Sequence, residues 1–267
     1  MISIKPLENA WILCKKNISL YVKRGPVLIF GLMFPFFMTL SWIIGRNLTS
    51  VQIFVGIVSM TTFFTSTAIS PVVLPQETRE KSLERQLLYP LSINQILLGI
   101  ILASFIYSFI ISLIITITFA LLLSVWIFSI MQMIALVTSI ALMATLGSLL
   151  GLLVSAKPTD MTSDIMILIN IIKFPLLFIS GIFIPLGATG FGLVVVSLFS
   201  PITFFTDLLR FSVNGSNFFY FGGDFIVLIS WIFLLSIANI LIHSRTMRFR
   251  LAEGAKEQKA GKRDKKG

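Results

Sequence analysis

Residues 96–123 read ILLGIILASFIYSFIISLIITITFALLL, a run without one Asp, Glu, Lys or Arg. About 20 apolar residues in helical form cross the hydrocarbon core of a bilayer, so this run reads as a membrane-spanning helix with residues to spare. Just upstream lies its opposite, ETREKSLERQLLYPLS over 77–92, with charges of both signs. Working outward from that contrast, the whole chain divides into long apolar runs and short polar islands.

The 267 residues are 56% hydrophobic and only 12% charged, with a mean hydropathy of +0.97. So few charges do not cover a soluble domain of this size. The net charge of +10 does not point to nucleic acid, because the basic residues sit at the ends of apolar runs and in the C-terminal tail. Anionic lipid and membrane orientation account for them there. The single cysteine, Cys14, excludes an intrachain disulfide, and no metal-ligand cluster stands out. His243, at the end of the last apolar run, reads as an interfacial side chain. No small-residue cleavage site closes the first apolar run, which is expected to remain as an anchor and not to leave as a signal peptide.

The expected fold is all-α: a polytopic membrane protein of six transmembrane helices. Residues 6–24 form an interfacial helix, with Leu7, Trp11, Cys14, Ile18, Tyr21 and Val22 on one stripe and Lys15, Lys16, Ser19 and Lys23 opposite. Gly25-Pro26 ends it. The six spans fall at about 27–45, 51–74, 96–123, 127–154, 165–185 and 225–242. Pro35 should kink the first, and Pro71 and Pro75 should end the second. The second is rich in hydroxyls, from Ser59 to Thr67, and the fourth carries Gly147 and Gly151 four apart, a spacing that permits close helix approach. Residues 186–223 are mixed, and the apolar piece 192–199 is too short to span, so short outer re-entrant or surface helices are expected. The membrane domain covers 1–244. Residues 245–267 form a basic tail expected to be disordered and to meet anionic lipid.

Eighteen of the 21 Lys and Arg fall on one side if the N-terminus is cytoplasmic; the exceptions are Arg46, Lys173 and Arg210. The positive-inside rule then places both termini in the cytoplasm, in the plasma membrane as the simplest location. In this topology 77–92 is cytoplasmic. Leu83, Leu87 and Leu88 form an apolar ridge at helical spacing among Glu77, Glu80, Lys81, Glu84 and Arg85, and Pro90 stops the helix. Either a plain interfacial linker or a docking surface for a partner has this pattern.

Glu80-Lys81-Ser82-Leu83-Glu84, then Leu87-Leu88 and Pro90-Leu91-Ser92, resembles the cytoplasmic loop of the type-2 ATP-binding-cassette exporter permeases. Lys81 stands where Gly is common in that family. Phe174 to Pro185 (FPLLFISGIFIP) is similar to the family's fifth-span signature. Ser200-Pro201 with Asp207 and Arg210 resembles the motif that follows, with Ser200 in place of Asn. The likeness runs from about Lys5 to Ile242. It implies a non-catalytic permease subunit that pairs with a second copy, the same or related, and couples through Glu77, Glu80, Leu83, Glu84, Arg85, Leu87 and Leu88 to a separate ATP-binding subunit. The chain has no G-x-x-x-x-G-K-[ST], so ATP and Mg²⁺ belong to that partner.

The resemblance further implies a substrate path beside the second and fifth spans, for which Thr61, Phe64, Thr65, Asn170, Lys173, Phe174 and Phe178 are candidates. Ordinary helix packing accounts for the same hydroxyls and aromatics. Lys173 either serves transport or snorkels toward the inner interface, about two helical turns away on the side of Asp164. Asp207 and Arg210, three apart, are expected to pair and lock the outer end. The substrate is not written in the residues. A passive channel, or a scaffold without an ATPase, is the alternative reading.

Overall fold

The computed structural model describes residues 6–89, 91–127, 129–184, 186–188 and 190–264. Lys5, Pro90 and Pro185 lie outside the described residues, as does the side chain of Leu87. The described chain is helical: α1 Pro6–Tyr21, α2 Gly25–Leu28, a π turn Ile29–Met33, α3 Phe34–Ile43, α4 Ser50–Ser66, α5 Ser70–Arg79, α6 Ser82–Leu87, α7 Ile93–Leu122, α8 Ile130–Val154, α9 Thr162–Phe178, a 3₁₀ turn Leu186–Ala188, α10 Phe191–Ser197, α11 Pro201–Asn214 and α12 Phe221–Asp264.

By length and apolar composition, four of these helical stretches are long enough to cross a membrane: Ser50–Arg79, Ile93–Leu122, Ile130–Val154 and Phe221–Thr246. The pair α10 and α11, bent by 103°, is a broken span or a re-entrant loop. The α4–α5 rod is buried along nearly its whole length, whereas the apolar part of α12 lies mostly on the outside. Its sequence explains α4's central place. Several of its hydroxyls turn back onto their own helix, Thr62 onto Val58 O and Thr65 onto Thr61 O, so these donors are satisfied inside an apolar core.

Pro35 has no N–H to donate to Gly31 O, and the helix widens just ahead of it: Phe34 N–H donates to Ile29 O across the π turn. The second span does not end at the prolines. It breaks at Thr67–Ile69 and resumes with Pro71 in its first turn, a position that needs no N–H donor. It then tolerates Pro75 inside α5 and carries the helix to Arg79. Gly147 and Gly151 of α8 lie against this break: a Cβ on Gly147 would meet the Ser66 side chain, and one on Gly151 would stand 2.9 Å from Pro71 Cδ.

One expectation is corrected at the N-terminal end. Helix α1 docks on α7, where Gly99 is so close that an added Cβ would lie 2.7 Å from Leu13 Cβ. Ala10, Leu13, Cys14, Asn17 and Tyr21 are therefore buried, while Leu7, Trp11, Ile12 and Leu20 face outward. The expected stripe mixed these two faces. At the other end α12 runs to Asp264. Ala, Glu, Gln, Lys and Arg dominate 252–264 and are strong helix formers, joined to a helix already nucleated.

Candidate functional site

The charged stretch folds as an elbow. Helix α5 stops at Glu80, the chain reverses at Lys81 in the left-handed region (φ 55°, ψ 19°), and α6 runs for six residues. Left-handed backbone costs a side chain about 1 kcal/mol and glycine almost nothing. Arg85 donates back across the corner to Glu80 O at 3.0 Å. The expected leucine ridge is split. Leu83 is 2% exposed and belongs to the core between α5, α7 and α1. Leu88 is 85% exposed and Tyr89 70%. Burying Leu83 pins α6 to the bundle and turns the following residues outward.

Two ion pairs tie this elbow to the N-terminal segment. Lys16 of α1 pairs with Glu77, whose side chain is 3% exposed, and Arg24 pairs with Glu80 at 3.1 Å. Glu77 is thus internal bracing and not part of an outer charged rim. The Glu80 carboxyl is held below its usual range by the hydrogen bond from Gln76 and by Arg24. Burial, with Glu77 and Glu80 nearby, pushes the Tyr21 hydroxyl up. Sequence reasoning missed Lys16 and Arg24 as elements of the site; nothing local marks them, since their partners lie 61 and 56 residues away.

In the middle of the bundle the path candidates separate. Thr65 Oγ1 lies 2.9 Å from Ser108 Oγ, and Ser104 and Ser108 donate to Ser66 O and Thr62 O, so these hydroxyls stitch α4 to α7. Thr61 and Phe64 are buried within the chain. Phe64, Phe34 and Phe174 form one aromatic group with centroids 5.2–6.3 Å apart. Lys173 is 0% exposed, its Nζ 5.0 Å from the Phe64 ring. It does not snorkel. Its ammonium has no hydrogen-bond acceptor among the described residues, and neither does Asn170 Oδ1 have a donor. Phe178, 62% exposed and stacked on Phe183 at 5.2 Å, reaches the surface.

At the end remote from the elbow, Asp207 and Arg210 do not pair. Asp207 is fully buried and accepts the backbone N–H of Phe218 at 2.9 Å and of Phe219 at 2.7 Å, clamping the loop before α12. Backbone amides that would otherwise be buried and unsatisfied attract it more strongly than a neighbour three residues along. Arg210 Nη2 donates instead to Gly181 O, at the end of the fifth-span signature. His243, expected at an interface, is buried, with Nδ1 3.0 Å from Asn239 O; Asn239 Nδ2 donates in turn to Leu149 O and joins α12 to α8.

The family model for ABC-2 type transporters matches residues 8–214. That stretch spans both α1 and the elbow it braces, the aromatic group around Lys173, and the clamp formed by Asp207. No curated protein matches the chain.

Proposed function

The chain belongs to the ABC-2 type transporter family as a membrane component, and from that premise we propose that it is the permease of an ATP-driven exporter. In this reading a separate ABC ATP-binding subunit, holding ATP and Mg²⁺, docks on the elbow. The permease works with a second permease copy in the plasma membrane, with six spans and both termini cytoplasmic. Closure of the ATPases moves the elbows and alternates access to a path between the permeases.

One observation carries the reading. A short helix pinned by Leu83 and braced by Lys16–Glu77 and Arg24–Glu80 ends in two large exposed side chains, Leu88 and Tyr89, beyond the last turn of the bundle. A mere linker has no need of that bracing. A surface that transmits force does, because a push on α6 must move α1 and α5 and not bend the corner. Glu84 and Arg85 then belong to the rim of the contact, while Leu88 and Tyr89 enter its desolvated centre, where most binding energy resides.

The test is Leu88→Asp. Because the side chain is already exposed, folding should be unaffected. Loss of a central anchor of about 2 kcal/mol weakens ATPase capture by about 30-fold. Co-purification of the ATPase and ATP-dependent export should fall together while the permease melts at the wild-type temperature. Unchanged export in this variant refutes docking at the elbow.

A further inference from the structure

A cavity of about 400 Å³ opens at the end of the bundle remote from the elbow, among α3, the start of α4, the segment after α9, and α11. Its size is that of a small-ligand site. The apolar part of the wall comes from Trp42, Val55, Ile182 and Phe183, with Trp42 and Phe183 set edge to face at 5.8 Å.

The polar part is one-sided. Arg210 presents a guanidinium with five N–H donors, of which one is taken up among the described residues, at Gly181 O. No carboxylate lines the cavity, and among the described residues none lies within ion-pair distance of Arg210. Asp207, its nearest sequence neighbour of opposite charge, is committed to the amides of Phe218 and Phe219. Gln52 has its side-chain oxygen occupied by the Thr49 N–H in the capping box of α4, which leaves its amide NH₂ as a donor. Thr49 Oγ1 already accepts from Gln52 N–H. Asn214 adds a carboxamide to the lining, and the only full charge among the lining residues is the positive one of Arg210. Such a wall complements an oxyanion.

We propose that this cavity is a binding site for an amphiphile with an anionic head, a phosphate or carboxylate, in which Arg210 and Gln52 hold the head and Trp42, Val55 and Phe183 the first part of the apolar tail. The same chemistry belongs to an exported amphiphile and to a resident anionic lipid. The site lies in the permease itself and needs no ATPase to bind, so its failure and the failure of docking at the elbow are separate results.

The experiment uses the full chain in dodecyl maltoside with Trp11→Phe, Trp126→Phe and Trp231→Phe, which leaves Trp42 as the sole indole. Titration with dodecyl phosphate should change Trp42 emission saturably, whereas inorganic phosphate alone should not saturate at the same concentrations. Arg210→Gln should weaken the binding by about tenfold or more, the worth of a charged hydrogen bond, and Arg210→Lys should recover part of it. Should Arg210→Gln fail to fold, Gln52→Ala, at a half-exposed position, should weaken binding severalfold. No saturable change, or equal affinity in the folded variants, overturns the site. Repeating the titration in nanodiscs separates the sources, and both arms support the site. If phosphatidylglycerol mixed into phosphatidylcholine competes with dodecyl phosphate, a membrane lipid is the occupant. If the two compositions give the same curve, the occupant is an exported amphiphile.

Discussion

Lys16 and Glu77 form an ion pair that joins the N-terminal helix to the end of α5, with the Glu77 side chain almost wholly removed from solvent. Breaking a fully buried pair from one side strands the remaining charge and costs about 3–5 kcal/mol; with Lys16 32% exposed the cost here is smaller, whereas replacing both partners with apolar groups of similar size is often neutral. Lys16→Met should therefore lower the melting temperature, and Lys16→Met with Glu77→Leu should recover most of the loss. A double-mutant cycle by thermal unfolding in detergent measures the coupling; additivity of the two single changes would show that the two side chains are not energetically coupled.

The corner at Lys81 predicts a stabilising substitution. Its φ of 55° is a conformation that glycine adopts freely. Lys81→Gly should raise stability by up to about 1 kcal/mol or leave it unchanged, and Lys81→Val should lower it by more than that. Thermal melts of the two variants beside wild type check the order.

The Arg24–Glu80 tie has a pH signature. The Glu80 carboxyl titrates below its ordinary range because Gln76 and Arg24 favour the charged form. Its contribution is thus complete above the ordinary glutamate value of about 4.3 and fades as pH falls through the lowered folded value. Wild type should exceed Glu80→Gln in melting temperature at neutral pH, with the gap closing on acidification. The pair is exposed enough for salt to shrink the gap as well. A gap independent of pH would assign the effect to packing.

Gly151 allows α8 to touch the ring of Pro71 at the break in the α4–α5 rod. A proline ring cannot rotate away, so Gly151→Ala should overpack the contact and cost about 1–3 kcal/mol. Ser70→Ala removes the other close atom but not the ring, and should rescue the variant only in part. Melting temperatures of the single and double variants measure this.

Lys173 is buried without an acceptor among the described residues, held over the face of Phe64. Desolvating an ammonium costs more than one cation–π contact returns. Lys173→Met, which keeps the length of the stem, should raise the melting temperature. A fall would mean that the ammonium has a stronger partner than the ring. Export assayed in the same variant reports separately whether the group serves transport.

The sequence carried the helical class and the long apolar runs, because transfer into hydrocarbon depends on local composition and scarcely on neighbours. The runs 96–123 and 127–154 fall within a few residues of α7 and α8 for that reason. The Gly147/Gly151 spacing was readable too, since close approach needs the missing side chain whatever lies opposite. The second span was cut short at Pro71 and Pro75, because a proline ends a helix only where nothing absorbs its missing N–H, and first-turn placement absorbs the loss at Pro71.

Only the tertiary structure decided which face of each element points inward. In a membrane chain the core-facing and lipid-facing sides of a helix are both apolar, so hydrophobic periodicity does not separate them. That is why the α1 stripe mixed Leu7 and Trp11 with Cys14 and Tyr21, and why Leu83 and Leu88 read as one ridge although one lies inside and the other outside. Polar groups face a second ambiguity. Thr65 joins Ser108, Glu77 joins Lys16, and Asp207 takes the amides of Phe218 and Phe219 in preference to Arg210. Each partner was chosen by proximity in space, because a buried donor or acceptor pairs with what the packing brings within 3 Å or so.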